Sequence, residues 1–123
     1  MNANDDATSL AVLEGSWVLE SIDGFELPEN LPRRPAVVVT ADGSVQGSTG
    51  VNRFRGALDN DGNRLFGPLA STRRAGPPKA MALEAAFLDA LNVAIAVEAR
   101  DNRVILSGAE GQRLTLDRSG PDA

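Results

Sequence analysis

Turn-forming residues punctuate this chain about every ten positions, a rhythm that suits short antiparallel strands and leaves little room for a helical bundle. The turns fall at Asp23-Gly24, Ala41-Asp42-Gly43, Asp59-Asn60-Asp61-Gly62-Asn63, Asp101-Asn102 and Gly108-Ala109-Glu110-Gly111. Asp and Asn fold back on their own backbone, and Gly supplies the positive φ that such turns need. The intervening segments have strand character. Ser16 to Ile22 places Trp17 and Leu19 on one face, and Ala36 to Thr40 holds the β-branched run Val37-Val38-Val39. Ser44 to Ser48, Asn52 to Leu58 and Arg64 to Leu69 follow as short strands. Near the C-terminus, Val93 to Ala99, Arg103 to Ser107 and Gln112 to Asp117 predict a three-strand meander, with Ile95 and Val97, Val104 and Leu106, and Leu114 and Leu116 on its apolar face.

One segment breaks the pattern. Lys79 to Asn92 is rich in Ala and Leu and follows Pro77-Pro78, residues tolerated where a helix begins. Leu83, Phe87 and Leu91 recur at helical spacing with Ala80, Leu88 and Ala90 beside them, while Glu84 and Asp89 are expected to point away from that stripe. A lone amphipathic helix has no helical partner, so its stripe must lie against a sheet or plug a barrel. The expected fold is therefore α+β and mostly β. It is a strongly curved antiparallel sheet or broken β-barrel of about seven or eight short strands, with one helix packed across it. Residues 1–9 and 119–123 read as polar tails around a single domain at 10–118.

Composition excludes several functions. Twelve Lys and Arg against seventeen Asp and Glu give a net charge of -5, which opposes nucleic-acid binding. With no Cys and no His in the 123 residues, thiolate and imidazole metal sites and a disulfide are all ruled out. Tyr is also absent and Lys79 is the only Lys, so neither a Ser-His-Asp nor a Cys-His arrangement exists. Glu20, Glu26, Glu84 and Glu98 show no motif that would pair two carboxylates for glycoside hydrolysis. No apolar run approaches the roughly 18 residues of a membrane span. The start of the chain lacks the basic and apolar regions of a secretory signal. A cytoplasmic location is favoured, and a periplasmic or secreted one only if a leader has been removed. The protein is expected to be a non-enzymatic monomer without cofactor or metal.

Four features carry candidate chemistry. Gly50, Asn52, Phe54 and Gly56 form the most distinctive cluster, read chiefly as architecture: an Asn that bonds neighbouring peptide groups, a core Phe, and glycines that permit close approach. Arg53 and Arg55 share a strand face, Arg73 and Arg74 precede the helix, and Arg33-Arg34 lie in a proline-bounded loop. The guanidinium fork suits carboxylates and phosphates, which makes Arg53, Arg55, Arg73 and Arg74 candidate contacts for a partner or an anionic lipid, but solvated faces with ordinary ion pairs are the favoured reading. Asp59, Asp61 and Asn63 alternate as in a calcium loop, but the sixth and twelfth positions counted from Asp59 are Arg64 and Ala70 instead of Gly and Glu, so a hairpin turn is the better reading. Trp17 is read as core filler.

The order of these pieces resembles the META domain (HslJ-like) family. Leu13-Glu14-Gly15-Ser16-Trp17-Val18-Leu19 is similar to its opening strand. Asp42-Gly43-Ser44-Val45-Gln46-Gly47 and Gly50-Val51-Asn52-Arg53-Phe54-Arg55-Gly56 are similar to its central "DGxxxG…GCNxFxG" stretch. Leu69 to Ala75, the set Glu84, Phe87 and Leu91, and the closing pair Val104-Ile105-Leu106 and Leu114-Thr115-Leu116 complete the resemblance. Members often carry two cysteines thought to pair, at positions held here by Val51 and Gly76. The resemblance implies a core position for Val51 and a loop position for Gly76. It further implies a stress-linked or envelope-associated bacterial protein, and a likeness to secretion-pilot proteins that hold lipid in a cracked barrel. The expected function is a binding or interaction module of unknown ligand, whose partner is an unknown protein or a small apolar molecule. The alternatives are a carrier of a small apolar ligand or lipid in the barrel interior and, more remotely, a carboxylate-based hydrolase.

Overall fold

The computed structural model describes residues 11–29, 33–59 and 64–119. The expected tail at 1–9, all but Ser119 of the expected tail at 119–123, and most of the turn at Asp59 to Asn63 lie outside these residues. The strands are β1 (Gly15–Ile22), β2 (Ala36–Val39), β3 (Ser44–Ser48), β4 (Arg53–Ala57), β5 (Ala70–Ser71), β6 (Ala94–Arg100), β7 (Arg103–Gly108) and β8 (Arg113–Arg118). The helix α1 (Pro78–Val93) separates β5 from β6. All strands join one antiparallel sheet in the order β5-β4-β3-β2-β1-β8-β7-β6. The fold is α+β, mostly β, and the sheet stays open.

The topology follows from the hairpins. β1 to β5 pair consecutively, as do β6 to β8, and the two blocks meet where β8 pairs with β1. The two sheet edges are therefore the strands that flank α1 in sequence. At one end the edges are drawn together, since Leu65 N–H in the β4–β5 loop donates to Ala94 O at 2.9 Å.

Alternation along the strands sends Trp17, Leu19, Val37, Val39, Val45, Phe54, Val104, Leu106, Leu114 and Leu116 to the concave face, where all are buried. The helix fills that concavity. Pro77 and Pro78 start it, and Leu83, Phe87, Ala90 and Leu91 form its buried stripe against β1, β7 and β8. Phe87 meets Phe54 edge to face, with ring centroids 5.9 Å apart. Burying each such side chain contributes about 1.5–3 kcal/mol. The interior of the broken barrel is thus taken up by Trp17, Phe54, Phe66, Phe87 and the leucines.

Three expectations need correction. Arg64 to Leu69 is not a strand. Leu65 and Phe66 are consecutive buried residues, Phe66 makes only an isolated bridge with Leu58, and Pro68 has no N–H to offer a ladder, so pairing resumes only at Ala70–Ser71. Ile95 does not share the apolar face with Val97. A register shift between Ala94 and Ala96 turns Ile95 outward, 43% exposed, while Val97 stays half-buried. Val51, expected in the core, is only half-buried.

Candidate functional site

The chain leaves β3 through a tight turn, Thr49 to Asn52, in which Gly50 takes φ +97°. Thr49 Oγ1 accepts the N–H groups of Val51 and Asn52, at 3.2 and 2.9 Å, and donates its own proton to Glu84 Oε1 at 2.6 Å. Asn52 leads from this turn into β4. Its side chain, in a residue 2% exposed, is fully engaged. Oδ1 accepts Thr72 Oγ1–H at 2.8 Å and Arg74 N–H at 2.6 Å. Nδ2 donates to Arg74 O at 3.0 Å and to Glu84 Oε1 at 2.8 Å. Two donors and two acceptor sites exhaust what a carboxamide offers.

This geometry has a structural logic. Thr72 N–H donates to Arg53 O at 2.9 Å, and Arg53 N–H is taken by Thr72 Oγ1 at 3.1 Å, so pairing between the β4 and β5 segments runs one step beyond the named strands. At the next step, where the backbone has turned away, the Asn52 carboxamide substitutes for a peptide group by both accepting from and donating to Arg74. Asp lacks the donor for this role. Phe54 then points inward, and Gly56 lies so close to Pro68 O that an added Cβ would sit 2.7 Å from it. Trp17 is buried, donates its indole N–H to Leu13 O at 2.7 Å, and carries the Arg118 guanidinium 4.4 Å from its ring centroid.

Glu84 differs from the sequence reading. Instead of facing away into solvent, it is half-buried and ties α1 to the Thr49–Asn52 turn. The sequence singled it out only through the resemblance, in the set Glu84, Phe87 and Leu91, and gave no sign of its partners. Thr49 and Thr72 carried no signal of their own.

Beside this polar cluster lies a surface crevice of about 290 Å³, bounded by Arg33, Thr49, Gly50, Val51, Arg74 to Pro77, Ala80 and Leu83. No carboxylate lines it. Among the described residues, no cluster of acidic groups fit to hold a metal occurs. Val51 and Gly76 face each other across its floor, and a Cβ built on Gly76 would lie 3.1 Å from Val51 Cγ1. The double variant Val51→Cys/Gly76→Cys is therefore expected to oxidise to an intramolecular disulfide, raising stability by about 3 kcal/mol in the loop-entropy model. Mass spectrometry with thiol alkylation checks it, and thiols that remain alkylatable under oxidant would contradict the proximity.

The arginines form the remaining feature. Arg53 and Arg55 flank buried Phe54 and project from the outer face of β4, while Arg73 and Arg74 are exposed on the segment paired beside it. Among the described residues, none of these four has a carboxylate within salt-bridge distance. Three other arginines among the described residues make ion pairs. Arg100 pairs with Glu98 at 2.8 Å, and Arg34 approaches Glu20 at 4.0 Å. Arg103 pairs with Asp117 at 2.8 Å, and its hydrogen bond holds the Asp117 carboxyl below the ordinary Asp range.

Comparison with known proteins agrees with this architecture. A protein from Burkholderia xenovorans solved by NMR is 28% identical, with a TM-score of 0.72, the match covering 89% of this chain and 86% of that one. A second NMR structure is 26% identical, with a TM-score of 0.64, over 86% of this chain and 90% of the other. A DUF4847 family protein from Bacteroides vulgatus shares the fold at 15% identity and a TM-score of 0.58, over 87% of this chain and 94% of that one. No curated protein matches the chain. No helix among the described residues is long and apolar enough to cross a membrane. The META domain family model matches residues 8–121, nearly the full length, and the chain belongs to the META domain family.

Proposed function

We propose that this domain is a non-enzymatic, HslJ-like interaction module that engages an anionic partner protein through Arg53, Arg55, Arg73 and Arg74. The observation that carries this reading is the grouping of four exposed arginines, unpaired among the described residues, on one margin of a chain whose net charge is -5. An acidic protein gathers cations at one place against its own overall field, and such a margin steers and orients an oppositely charged surface. The cysteine-free sequence suits a reducing compartment. A hydrolase reading finds no support at this site. Glu84 is the carboxylate of the polar cluster, and its Oε1 is occupied by Thr49 and Asn52.

Titration of the protein with short poly-L-glutamate at low salt, followed by amide NMR, tests the proposal. Shifts are expected at Arg53–Ala57 and Ala70–Arg74. Arg53→Glu combined with Arg55→Glu should weaken binding about tenfold, since each exposed charge contact is worth about 0.2–1 kcal/mol and reversal adds repulsion. Wild-type affinity in that variant, or no binding by the native protein, would overturn the reading.

A second reading, a site for a small apolar or lipid-like ligand, has the crevice beside Val51, Ala80 and Leu83 in its favour. About 290 Å³ lies at the lower limit of usual ligand pockets. Native mass spectrometry of the purified protein checks this reading through a co-purifying ligand.

A further inference from the structure

We propose that the free edge beside the arginine margin takes an extended acidic segment of the partner protein as an added strand, a mode that rests on the arginine reading above. The hydrogen-bonding phase of the edge is fixed by its pairing with β4. Thr72 N–H and Arg74 N–H both point inward, to Arg53 O and Asn52 Oδ1. Backbone groups alternate in direction along an extended chain, so the N–H and C=O of Ser71 and Arg73 point outward. These have no hydrogen-bond partner among the described residues. The segment Ala70 to Ala75 is exposed throughout. Although β5 itself spans only two residues, the Asn52 clip at Arg74 holds the segment alongside β4 past its end. The template is therefore longer than the strand and is ordered before a partner arrives, which lowers the entropic cost of strand addition.

Charge selects the occupant. A strand added here would lie about 5 Å from the edge and about 10 Å from β4, within reach of the long side chains of Arg53 and Arg55. Carboxylates on every second residue would share the outer face with those two arginines. A second copy of this chain pairing through the same edge would bring arginines against arginines, which is unfavourable across strands. The opposite edge, β6, lacks this selectivity, since Glu98 and Arg100 neutralise each other there and a register shift interrupts its pairing at Ile95.

Three capped peptides of alternating Glu and Thr separate the outcomes: one unmodified, one N-methylated at every Glu, and one N-methylated at every Thr. Each retains the same charge. In an added strand only every second residue bonds to the edge, so methylation in one phase should weaken binding at least about tenfold while the other phase leaves it nearly unchanged. The unmodified peptide should also slow amide exchange at Ser71 and Arg73. Equal binding by all three peptides, or binding by poly-L-glutamate without binding by the unmodified Glu-Thr peptide, would overturn strand addition while leaving the arginine reading in place. Failure of every acidic probe to bind would overturn both.

Discussion

Asn52→Asp is expected to destabilise the domain by about 3–5 kcal/mol at neutral pH, because it buries a charge and sets it against two acceptors that the amide had satisfied. The native carboxamide donates to Arg74 O and to Glu84 Oε1. A carboxylate in its place turns both contacts into repulsions between acceptors, one of them between two acidic groups, in a residue that is 2% exposed. The melting temperature should fall by roughly 10 °C or more for a domain of this size. The pH dependence follows from the same contacts. The introduced carboxyl faces Glu84 and a carbonyl, so its folded pKa is raised above its unfolded value. The deficit is therefore full above the folded pKa and shrinks as pH falls through it. A second change, Glu84→Gln, should partly rescue the variant by removing one charge and supplying a donor, and the double-mutant cycle reads that coupling directly. Urea denaturation at neutral and acidic pH checks all three outcomes. A loss below about 1 kcal/mol at neutral pH would contradict the role assigned to this amide as a stand-in peptide group.

The second large effect is expected from Phe87→Ala, at about 3–5 kcal/mol. Phe87 is fully buried at the centre of the concavity, edge to face with Phe54. Truncation leaves a cavity that the surrounding strands cannot close without disturbing the β1–β8 junction on which α1 rests. Leu88 is adjacent in sequence but half-buried, so Leu88→Ala should cost clearly less, about 1–1.5 kcal/mol. Chemical denaturation of the pair measures the contrast. Comparable losses at both positions would mean that the helix does not present the stripe described here.

The four arginines illustrate a feature half legible in the sequence. The spacing of Arg53 and Arg55 around Phe54 was sufficient to put both on one strand face. That Arg73 and Arg74 lie alongside them depends on the antiparallel register Phe54↔Ser71 and Arg55↔Ala70, which no local pattern announces. The same division separates the parts of the fold that were expected from those that were not. The bounds expected for Ser44 to Ser48 are those observed, and the helix differs from expectation by one residue at each end, because apolar periodicity and turn chemistry act over a few residues. Ile95 leaves its expected face because a bulge resets the phase of alternation without any change in composition.

By itself, then, the sequence determined most of the segments that extend, the one that coils, and that the Leu83, Phe87 and Leu91 stripe must be covered by a sheet. These follow from burying apolar side chains at periods of two and of about 3.6 residues. It also settled, through the absence of Cys and His, that no thiolate or imidazole chemistry occurs here. Only the tertiary structure decided that the two strands flanking the helix become the sheet edges, and that Asn52 completes its hydrogen bonds with residues 20 to 32 positions away. The physical reason is range. Hydrophobic periodicity is a local property of the chain, whereas a buried amide finds its partners through the register of strands and the placement of a helix that are remote in sequence and fixed by the packing of the whole core.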